Sequence, residues 1–491
     1  MSNSMKLEIL QKLVKSLDDH RCKDKWEKIC VEVDSMFQRD SSDSTCFMHS
    51  DDVKKIVIKA ITSLVQKTWL PQSLSTEKEE DCFRETAQVT AVVASTTATI
   101  LSNLTEGQSS LDDADERNDR AQQLVRDVVS AVAPHCVILI AMHGHHQSWT
   151  SSKSRQASDG LCNWLCKFTS CKSVSEILTE GPWWCKESFN SGIFREVFRL
   201  LRKRLTKDEW HKEPATRQAF RWLLVQMKYP HLGDHLDSVL PPSLHFAGDY
   251  KVNNKLIGIQ CLQHIIDNVD RTELRLRGRA MVIYDALHHQ LYNQKPALIG
   301  QLLPCLVSIL AVIERSPHKA DELRKPNRYD SVLQTVLVSM EFEQRVALQQ
   351  AYAKNLGLFF DSMGITVLRH MKRVLQVILK YLKASDGQDD VSRLYTLQSL
   401  SSLILQTWPR ITCHWEMIMK VLLQLLCDVC DSANQIDKQV RESTINRCIE
   451  CLVLLKRCCR KNTDDALHEI LTVNASKNAV LKESLEKVLA S

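Results

Sequence analysis

Two pairs of cysteines near the carboxyl end of the chain have the spacing of a zinc site. They are CxxC pairs with seventeen residues between them, formed by Cys427 and Cys430 and by Cys448 and Cys451. Four thiolates arranged in two such pairs can hold Zn²⁺ tetrahedrally, but zinc knuckles place each pair in a tight turn. Here each pair lies in a helical pattern of apolar residues, where cysteine behaves as a small apolar side chain. We therefore predict that these four cysteines pack in a core and bind no metal.

The same stretch predicts how its two helices pack. The connector reads DSANQIDK, which is typical of a turn followed by a helix start. Helices joined by so short a connector run antiparallel beside each other. We expect one apolar stripe to face another, namely Leu422, Leu426 and Val429 against Ile445, Leu452 and Leu455.

Histidines and tryptophans form two further groups that could do chemistry. His143, His145 and His146 could bind zinc together with the nearby Cys136, but they follow an apolar helix and are predicted to form an exposed polar loop. Trp183 and Trp184 could stack on a ligand, and the interpretation we favour is that they anchor a joint between two helices.

A basic helix is predicted at residues 195–207. Its cationic side chains are Arg195, Arg199, Arg202, Lys203 and Arg204. They could contact phosphates, so the alternative function is nucleic-acid binding by a helical-repeat protein. The prediction we favour is that this face of the helix is simply exposed to solvent. The net charge of +5, from 64 basic and 59 acidic residues, is too small to argue for nucleic acid by itself.

The sequence contains none of the common catalytic or nucleotide-binding motifs. GxxxxGK[ST], GxSxG and HExxH do not occur, and no GxGxxG follows a strand pattern. The amino-terminal stretch carries acids and has no apolar core of a signal peptide. Its 18 cysteines are irregularly placed, unlike those of a small secreted disulfide domain. We predict a protein that is not an enzyme, needs no cofactor, and occupies a reducing compartment.

The elements that must position all these residues are helices. Glycine and proline number only 13 and 12, too few for the turns of a large sheet. Apolar residues recur at helical spacing, and the apolar run 128–142 is expected to be broken at Pro134. Polar connectors are predicted at 143–160 and 383–390, among others.

The spacing of these helices predicts an α-solenoid. Helix pairs recur about every 40 residues, which suits all-α repeats of the HEAT or armadillo kind. We predict an amino-terminal helical region at 1–104, an acidic flexible linker at 105–120, and a HEAT-like region at 121–491. A set of helical bundles is the alternative architecture.

The most distinctive segment is residues 240–269, which begins LPPSLHFAGDYK. Pro241 and Pro242 are expected to end one helix, and a polar loop then leads into the next. Gly258 falls inside that second helix, where glycine costs roughly 1 kcal/mol relative to alanine. We therefore predict that a neighbouring backbone passes close to Gly258.

This segment resembles the signature of the Tel-two-interacting protein two family, a subunit of the Triple-T complex. The resemblance covers the chain from about residue 182 to its end. The helix QVRESTINRCIECL is also similar to the HEAT-like carboxyl region of that family. The resemblance implies a partner-binding site at eight residues: Leu240, Pro241, Pro242, Asp249, Tyr250, Lys255, Gly258 and His264.

The resemblance further implies a scaffold subunit of a co-chaperone, found in cytoplasm and nucleus. Its direct partner would be Tel-two-interacting protein one, with the Tel-two protein in the same complex. Through the ninety-kilodalton heat-shock chaperone, that complex would serve the phosphatidylinositol-3-kinase-related kinases, of the mTOR, ATM, ATR and DNA-PK type. No membrane partner is expected, and nucleic acid is not expected on this reading.

Overall fold

The chain folds into helices throughout the part that the structure describes. A computed structural model describes residues 3–18, 23–39, 50–70, 79–106, 116–181, 192–315, 325–386, 390–431, 437–474 and 479–490. Within those ranges no strand occurs. The α-helices are α1 (Asn3–Asp18), α2 (Lys23–Arg39), α3 (Asp51–Lys67), α4 (Glu79–Glu106), α5 (Glu116–His143), α6 (Ser152–Thr169), α7 (Val174–Thr179), α8 (Phe194–Arg202), α9 (Pro214–Gln226), α10 (Leu236–Ala247), α11 (Val252–Asn268), α12 (Arg271–Arg275), α13 (Arg279–His289), α14 (Pro296–Ile313), α15 (Arg328–Phe342), α16 (Val346–Met363), α17 (Met371–Lys383), α18 (Val391–Ile411), α19 (Trp415–Asp431), α20 (Lys438–Cys458), α21 (Arg460–Asn474) and α22 (Ala479–Ala490).

Short polar side chains determine where several of these helices begin. Before α6, Ser151 Oγ accepts a hydrogen bond from the Ser154 backbone N–H at 3.1 Å, and Ser154 Oγ accepts from the Ser151 N–H at 2.9 Å. Before α15, Asn327 Oδ1 accepts from the Tyr329 N–H at 3.0 Å. These bonds satisfy N–H groups that have no partner within the helix itself.

The helices then bury the apolar stripes that the sequence shows. In α17, Met371, Leu375, Ile378 and Leu382 are all 5% exposed or less. Fully burying such a side chain contributes about 1.5–3 kcal/mol. Packing between helices therefore supplies most of the stability of each helix.

The chain divides into two compact units, Met1–Pro242 and Ser243–Ser491. Unit 1 contains two rows of helices. In one row α2, α4 and α6 pack in succession, and in the other α1, α3, α5 and α9 do. The boundary between the units falls inside α10.

Unit 2 has the same two-row arrangement, repeated more regularly. Its inner row is α11, α14, α16, α18 and α20, each packed on the next. Its outer row is α13, α15, α17 and α19, and each of these packs on the inner helix that follows it. A helix pair recurs about every 45 residues, which is the length of a HEAT-type repeat.

The predicted all-α fold class, an α-solenoid of HEAT- or armadillo-like helix pairs, is confirmed within each unit. The predicted domain limits at residues 104 and 120 stay predictions, because most of the linker, 107–115, lies outside the described residues.

Prolines do not end helices where the sequence led us to expect it. Pro134 lies inside α5, and both Pro241 and Pro242 lie inside α10. A proline within a helix costs about 3 kcal/mol or more. That cost is offset by the apolar residues beyond each proline, since Val137 and Phe246 are fully buried. The expected connector at 143–160 is also wrong in part, because the cap at Ser151 begins α6 inside it.

Two helices of the described chain are long and apolar enough to cross a membrane by length and composition alone. They are Arg120–His143, within α5, and Pro296–Ile313, which is α14. Both pack against other helices of their own unit, and their apolar stretches are 72% buried in α5 and 50% buried in α14. This burial favours core helices.

Candidate partner-binding edge

The inner-row helices α11 and α14 of unit 2 run in the same direction. Gln260 Nε2 donates to Gln301 Oε1 at 3.1 Å, and further along both helices Gln263 Nε2 donates to Ser308 Oγ at 3.2 Å. Contacts that advance together along two helices mean that the helices are parallel. The amino-terminal ends of α11 and α14 therefore lie on the same side of the unit.

The next two inner helices continue this arrangement. Arg345 Nη2, just before α16, donates to Gln294 Oε1, just before α14, at 2.8 Å. Gln350 Nε2 in α16 donates to Asp386 Oδ2, just before α18, at 3.4 Å. We call the segments 248–251, 290–295, 342–346 and 384–386 the loop edge, since each of them leads into an inner-row helix.

The first segment of the loop edge belongs to the predicted signature. Gly258 is buried in α11, and a Cβ placed there would lie 2.1 Å from Ala247 N and 2.6 Å from Ala247 Cα. The predicted close approach of a neighbouring backbone is therefore confirmed. It allows α11 to pack directly against the end of α10.

Buried polar contacts tie this segment to the next one. Lys255 is 8% exposed, and its Nζ donates to Gln290 Oε1 at 2.5 Å. Burial lowers the pKa of Lys255. Asn254 Nδ2 donates to Asp249 Oδ2 at 2.5 Å, which fixes the loop between α10 and α11. The loop is thus held in place by side chains inside the unit.

A buried carboxylate holds the third segment. Glu343 Oε1 accepts hydrogen bonds from the backbone N–H groups of Gln344 and Arg345, at 3.0 and 2.8 Å. Its two oxygens also accept from Nε and Nη2 of Arg345, both at 2.9 Å. The bonds to Arg345 lower the pKa of Glu343. The segment between α15 and α16 therefore has a defined conformation.

Three large aromatic side chains project into solvent along this fixed edge. Tyr250 is 81% exposed, Tyr292 is 71% exposed, and Phe342 is 74% exposed. Lys251 Nζ lies 5.6 Å from the centroid of the Tyr250 ring. Aromatic residues are enriched in protein interfaces and supply many of their strongest contacts. The loop edge is therefore our candidate partner-binding surface.

The structure separates the eight predicted partner-binding residues by exposure. Leu240, Pro242, Lys255 and Gly258 are buried, Asp249 and His264 are half-buried, and Pro241 and Tyr250 are exposed. All eight stay predictions as partner contacts. Sequence reasoning missed Tyr292 and Phe342, and the available signal was their position four residues before the start of an inner-row helix.

The cysteine pairs lie in the helices that the sequence predicts for them. Arg441, near the start of α20, donates to Val429 O and Cys430 O near the end of α19, at 2.9 and 3.0 Å. Cys448 Sγ, further along α20, contacts Leu422 O at 3.4 Å. The contacts advance in opposite directions, so the predicted antiparallel packing of α19 and α20 is confirmed. The six residues predicted to face each other are all buried.

The two cysteines of α20 face different neighbours. Cys448 contacts α19, whereas Cys451 Sγ lies 3.5 Å from Leu397 O and 3.2 Å from Ser401 Oγ in α18. Burial raises the pKa of Cys451 to about 12 and that of Cys430 to about 11. Zinc binds thiolates, so these environments oppose the charge state that the metal needs.

The absence of zinc from this cysteine group stays a prediction. We expect protein purified without chelator to contain less than about 0.1 equivalent of zinc by elemental analysis. About one equivalent, lost when Cys430 and Cys448 are both changed to serine, would contradict the prediction.

The predicted exposed histidine loop is only partly correct. His145 and His146 are exposed, but His143 is fully buried at the end of α5. Its Nε2 lies 3.0 Å from Thr68 O, and burial lowers its pKa to about 4. A buried neutral histidine bonded to a carbonyl supports the packing of α5 beside α3.

This burial predicts a specific pH dependence. The unfolded chain binds a proton at His143 as the pH falls through about 6.5, and the folded chain does so only near 4. Stability is therefore full above about pH 7 and falls by roughly 2 kcal/mol by about pH 5 from this one group. Urea unfolding of His143→Gln should lack that part of the slope, and equal slopes in both proteins would contradict the prediction.

The basic helix is shorter than expected and partly neutralised. It comprises α8 and a 3₁₀ turn, Lys203–Leu205. Arg204 pairs with Glu213 and lies 3.9 Å from the Trp69 ring centroid, and Arg199 Nε pairs with Glu196 at 2.8 Å. Trp183 and Trp184, the predicted joint, lie outside the described residues.

Comparison with known proteins matches part of this chain to a family. The Tti2 family profile matches residues 189–389, which include Tyr250, Tyr292 and Phe342. TELO2-interacting protein 2 of Rattus norvegicus is 38% identical over 65% of this chain and 62% of its own length. The Homo sapiens protein of the same name is 35% identical over 68% of this chain and 65% of its own length. The chain thus spans less than two thirds of the length of these relatives.

Among solved structures, the crystal structure of Kap121p is similar with a TM-score of 0.48 and 14% identity. The similarity covers 98% of this chain and 45% of Kap121p. The family match includes the region of the predicted signature, residues 240–269, and with it the contact of Gly258 with α10. Residues 189–389 of this chain therefore match the Tti2 family, and the chain is similar to the TELO2-interacting protein 2 of rat and human.

Proposed function

We propose that this chain is a non-enzymatic scaffold subunit of a Triple-T co-chaperone complex. Tel-two-interacting protein one would bind it directly, and the Tel-two protein would be in the same assembly. The complex would act with the ninety-kilodalton heat-shock chaperone to mature and stabilise phosphatidylinositol-3-kinase-related kinases, in cytoplasm and nucleus. The match to the Tti2 family and the name of the relatives, which states an interaction with TELO2, support this proposal.

The loop edge is the observation that carries the proposal. Its exposed aromatic side chains lie in the family-matched region, and each can bury about 150–250 Å² on binding. The buried bonds of Lys255, Glu343 and Arg345 hold the edge before any partner arrives. A surface that is already ordered loses little conformational entropy when it binds.

Removing the aromatic side chains of the loop edge should weaken partner binding and leave folding intact. Changing Tyr250, Tyr292 and Phe342 together to alanine should weaken binding to purified Tel-two-interacting protein one at least about 30-fold, or about 2 kcal/mol. The side chains are exposed, so each change should alter unfolding free energy by no more than about 0.5 kcal/mol. Titration calorimetry and urea unfolding measure the two effects.

Trp408→Ala is the matched control. Trp408 is 63% exposed but lies about 26 Å along α18 from the start of that helix, away from the loop edge. It should leave the affinity unchanged. Equal affinities for the triple variant and wild type would remove the loop edge from the interface.

Affinity purification with mass spectrometry tests the function class itself. The tagged wild-type chain should recover Tel-two-interacting protein one and the Tel-two protein, together with the phosphatidylinositol-3-kinase-related kinases. The triple variant should recover none of them. Recovery of nucleic-acid-processing proteins in place of these partners would contradict the scaffold proposal.

A further inference from the structure

A groove in unit 2 lies between α17 and the start of α19, in the outer row of helices. It has a volume of about 570 Å³. Its lining residues are Lys372, Leu375, Gln376, Leu379, Lys380, Lys383, His414 and Met417. None of these residues belongs to the loop edge.

The groove combines apolar and cationic side chains. Lys372, Lys380 and Lys383 follow one face of α17, and the first and last are separated by about 16 Å along the helix axis. Leu375 and Leu379 lie on the same side of that helix. From α19, Met417 lines the groove with half of its side chain exposed. Methionine is a flexible apolar side chain that adapts to different partners.

The lysines keep most of their charge available for a partner. Lys380 Nζ donates to a backbone oxygen, Glu341 O, at 2.6 Å. The Glu341 carboxylate is itself paired with Arg373, at 3.2 Å. Within the part of the chain that the structure describes, no carboxylate lies within ion-pair distance of Lys372 or Lys383.

We propose that this groove binds an acidic amphipathic helix of a partner protein. Apolar side chains of that helix would pack mainly on Met417, which is 50% exposed, above a floor formed by Leu375 and Leu379, which are 2% and 6% exposed. Its carboxylates would pair with Lys372 and Lys383. The length of the lysine face fits about three helical turns, the usual size of a helix that docks in a groove. The proposal goes beyond the Triple-T role, since it rests on α17 and α19 alone.

Fluorescence anisotropy of the full chain tests the proposal with a designed probe. The probe is a labelled peptide of about 15 residues with leucines at i, i+3, i+4 and i+7 and glutamates flanking them. We expect saturable binding that weakens as salt rises, because exposed charge pairs are screened. Lys372→Glu with Lys383→Glu should weaken binding at least about tenfold.

Two controls separate this groove from general charge attraction. Lys438→Glu with Lys461→Glu makes the same change in net charge at exposed positions outside the groove, and should bind as wild type. A peptide of equal composition with its leucines dispersed around the helix should bind at least about tenfold more weakly. If charge reversal disturbs the circular dichroism, Lys372→Gln with Lys383→Gln replaces it.

Three results would overturn the proposal. They are absence of binding at low salt, equal weakening by the two pairs of charge reversals, and equal binding of the dispersed peptide. Stronger binding to phosphatidylserine vesicles than to the peptide, lost in the groove variant, would assign the groove to a membrane surface and also overturn it. None of these results bears on the loop edge, whose test uses other residues.

Discussion

Gly258→Ala is expected to destabilise unit 2 by about 3 kcal/mol or more. The added Cβ would meet three backbone atoms of α10, namely Ala247 N at 2.1 Å, Ala247 Cα at 2.6 Å and Phe246 C at 2.7 Å. Backbone atoms cannot rotate away as a flexible side chain can. Either α10 and α11 separate, which exposes buried Ile259 and Leu262, or the strain is retained. Thermal and urea unfolding measure the change.

Gly300→Ala provides the matched control for this prediction. Gly300 also lies inside an inner-row helix, α14, but nothing lies within 4 Å of the place where its Cβ would be. Alanine has the higher helix propensity, so this variant should be stabilised by up to about 1 kcal/mol. Similar melting of the two variants would contradict the close contact at Gly258.

Arg393→Ala is expected to cost about 3–5 kcal/mol. The side chains of Arg393 and Asp390 are 6% and 1% exposed, and Nη1 and Oδ2 lie 3.2 Å apart. Arg393 Nη2 also donates to Lys383 O at the end of α17. Removing the guanidinium leaves the Asp390 carboxylate buried without its charge partner, and that group stabilises the connection between α17 and α18 through Ser385 and Asp386.

Two comparisons isolate the effect of the buried charge. Arg447 pairs with Glu450 at 2.7 Å on the surface of α20, and Arg447→Ala should cost less than about 1 kcal/mol. Asp390→Asn combined with Arg393→Met removes both charges, and Asn tolerates the left-handed backbone at 390, where φ is +36°. This double variant should be more stable than Arg393→Ala, and the opposite order would contradict the role of the ion pair.

Gly258→Ala and Arg393→Ala also bear on the loop edge, since each disturbs an inner-row helix that begins at this edge. Gly258 positions the start of the row at α11, and Asp390 positions the segment that leads into α18. Both should reduce partner binding only through loss of folding. The aromatic variants should reduce partner binding with folding intact, so the two classes of residue are separable by experiment.

The sequence by itself determined the helices, their amphipathic faces and the resemblance to the Tti2 family. Local periodicity was sufficient to predict the helices and their buried faces, because a helix with an apolar stripe must bury that stripe against a neighbour. It also predicted the close backbone contact at Gly258, since a glycine inside a helix has an intrinsic cost that needs a reason. Of the exposed aromatic residues in the loop edge, it predicted Tyr250 alone.

Only the tertiary structure decided the remaining features, because they depend on partners distant in sequence. Pro134 and Pro241 lie within helices since burial of residues beyond them outweighs a local backbone preference. His143 is buried against Thr68, a residue 75 positions away. The exposure of Tyr292 and Phe342 likewise follows from how successive helix pairs stack, since an aromatic residue has the same local pattern whether a neighbouring pair covers it or leaves it in solvent.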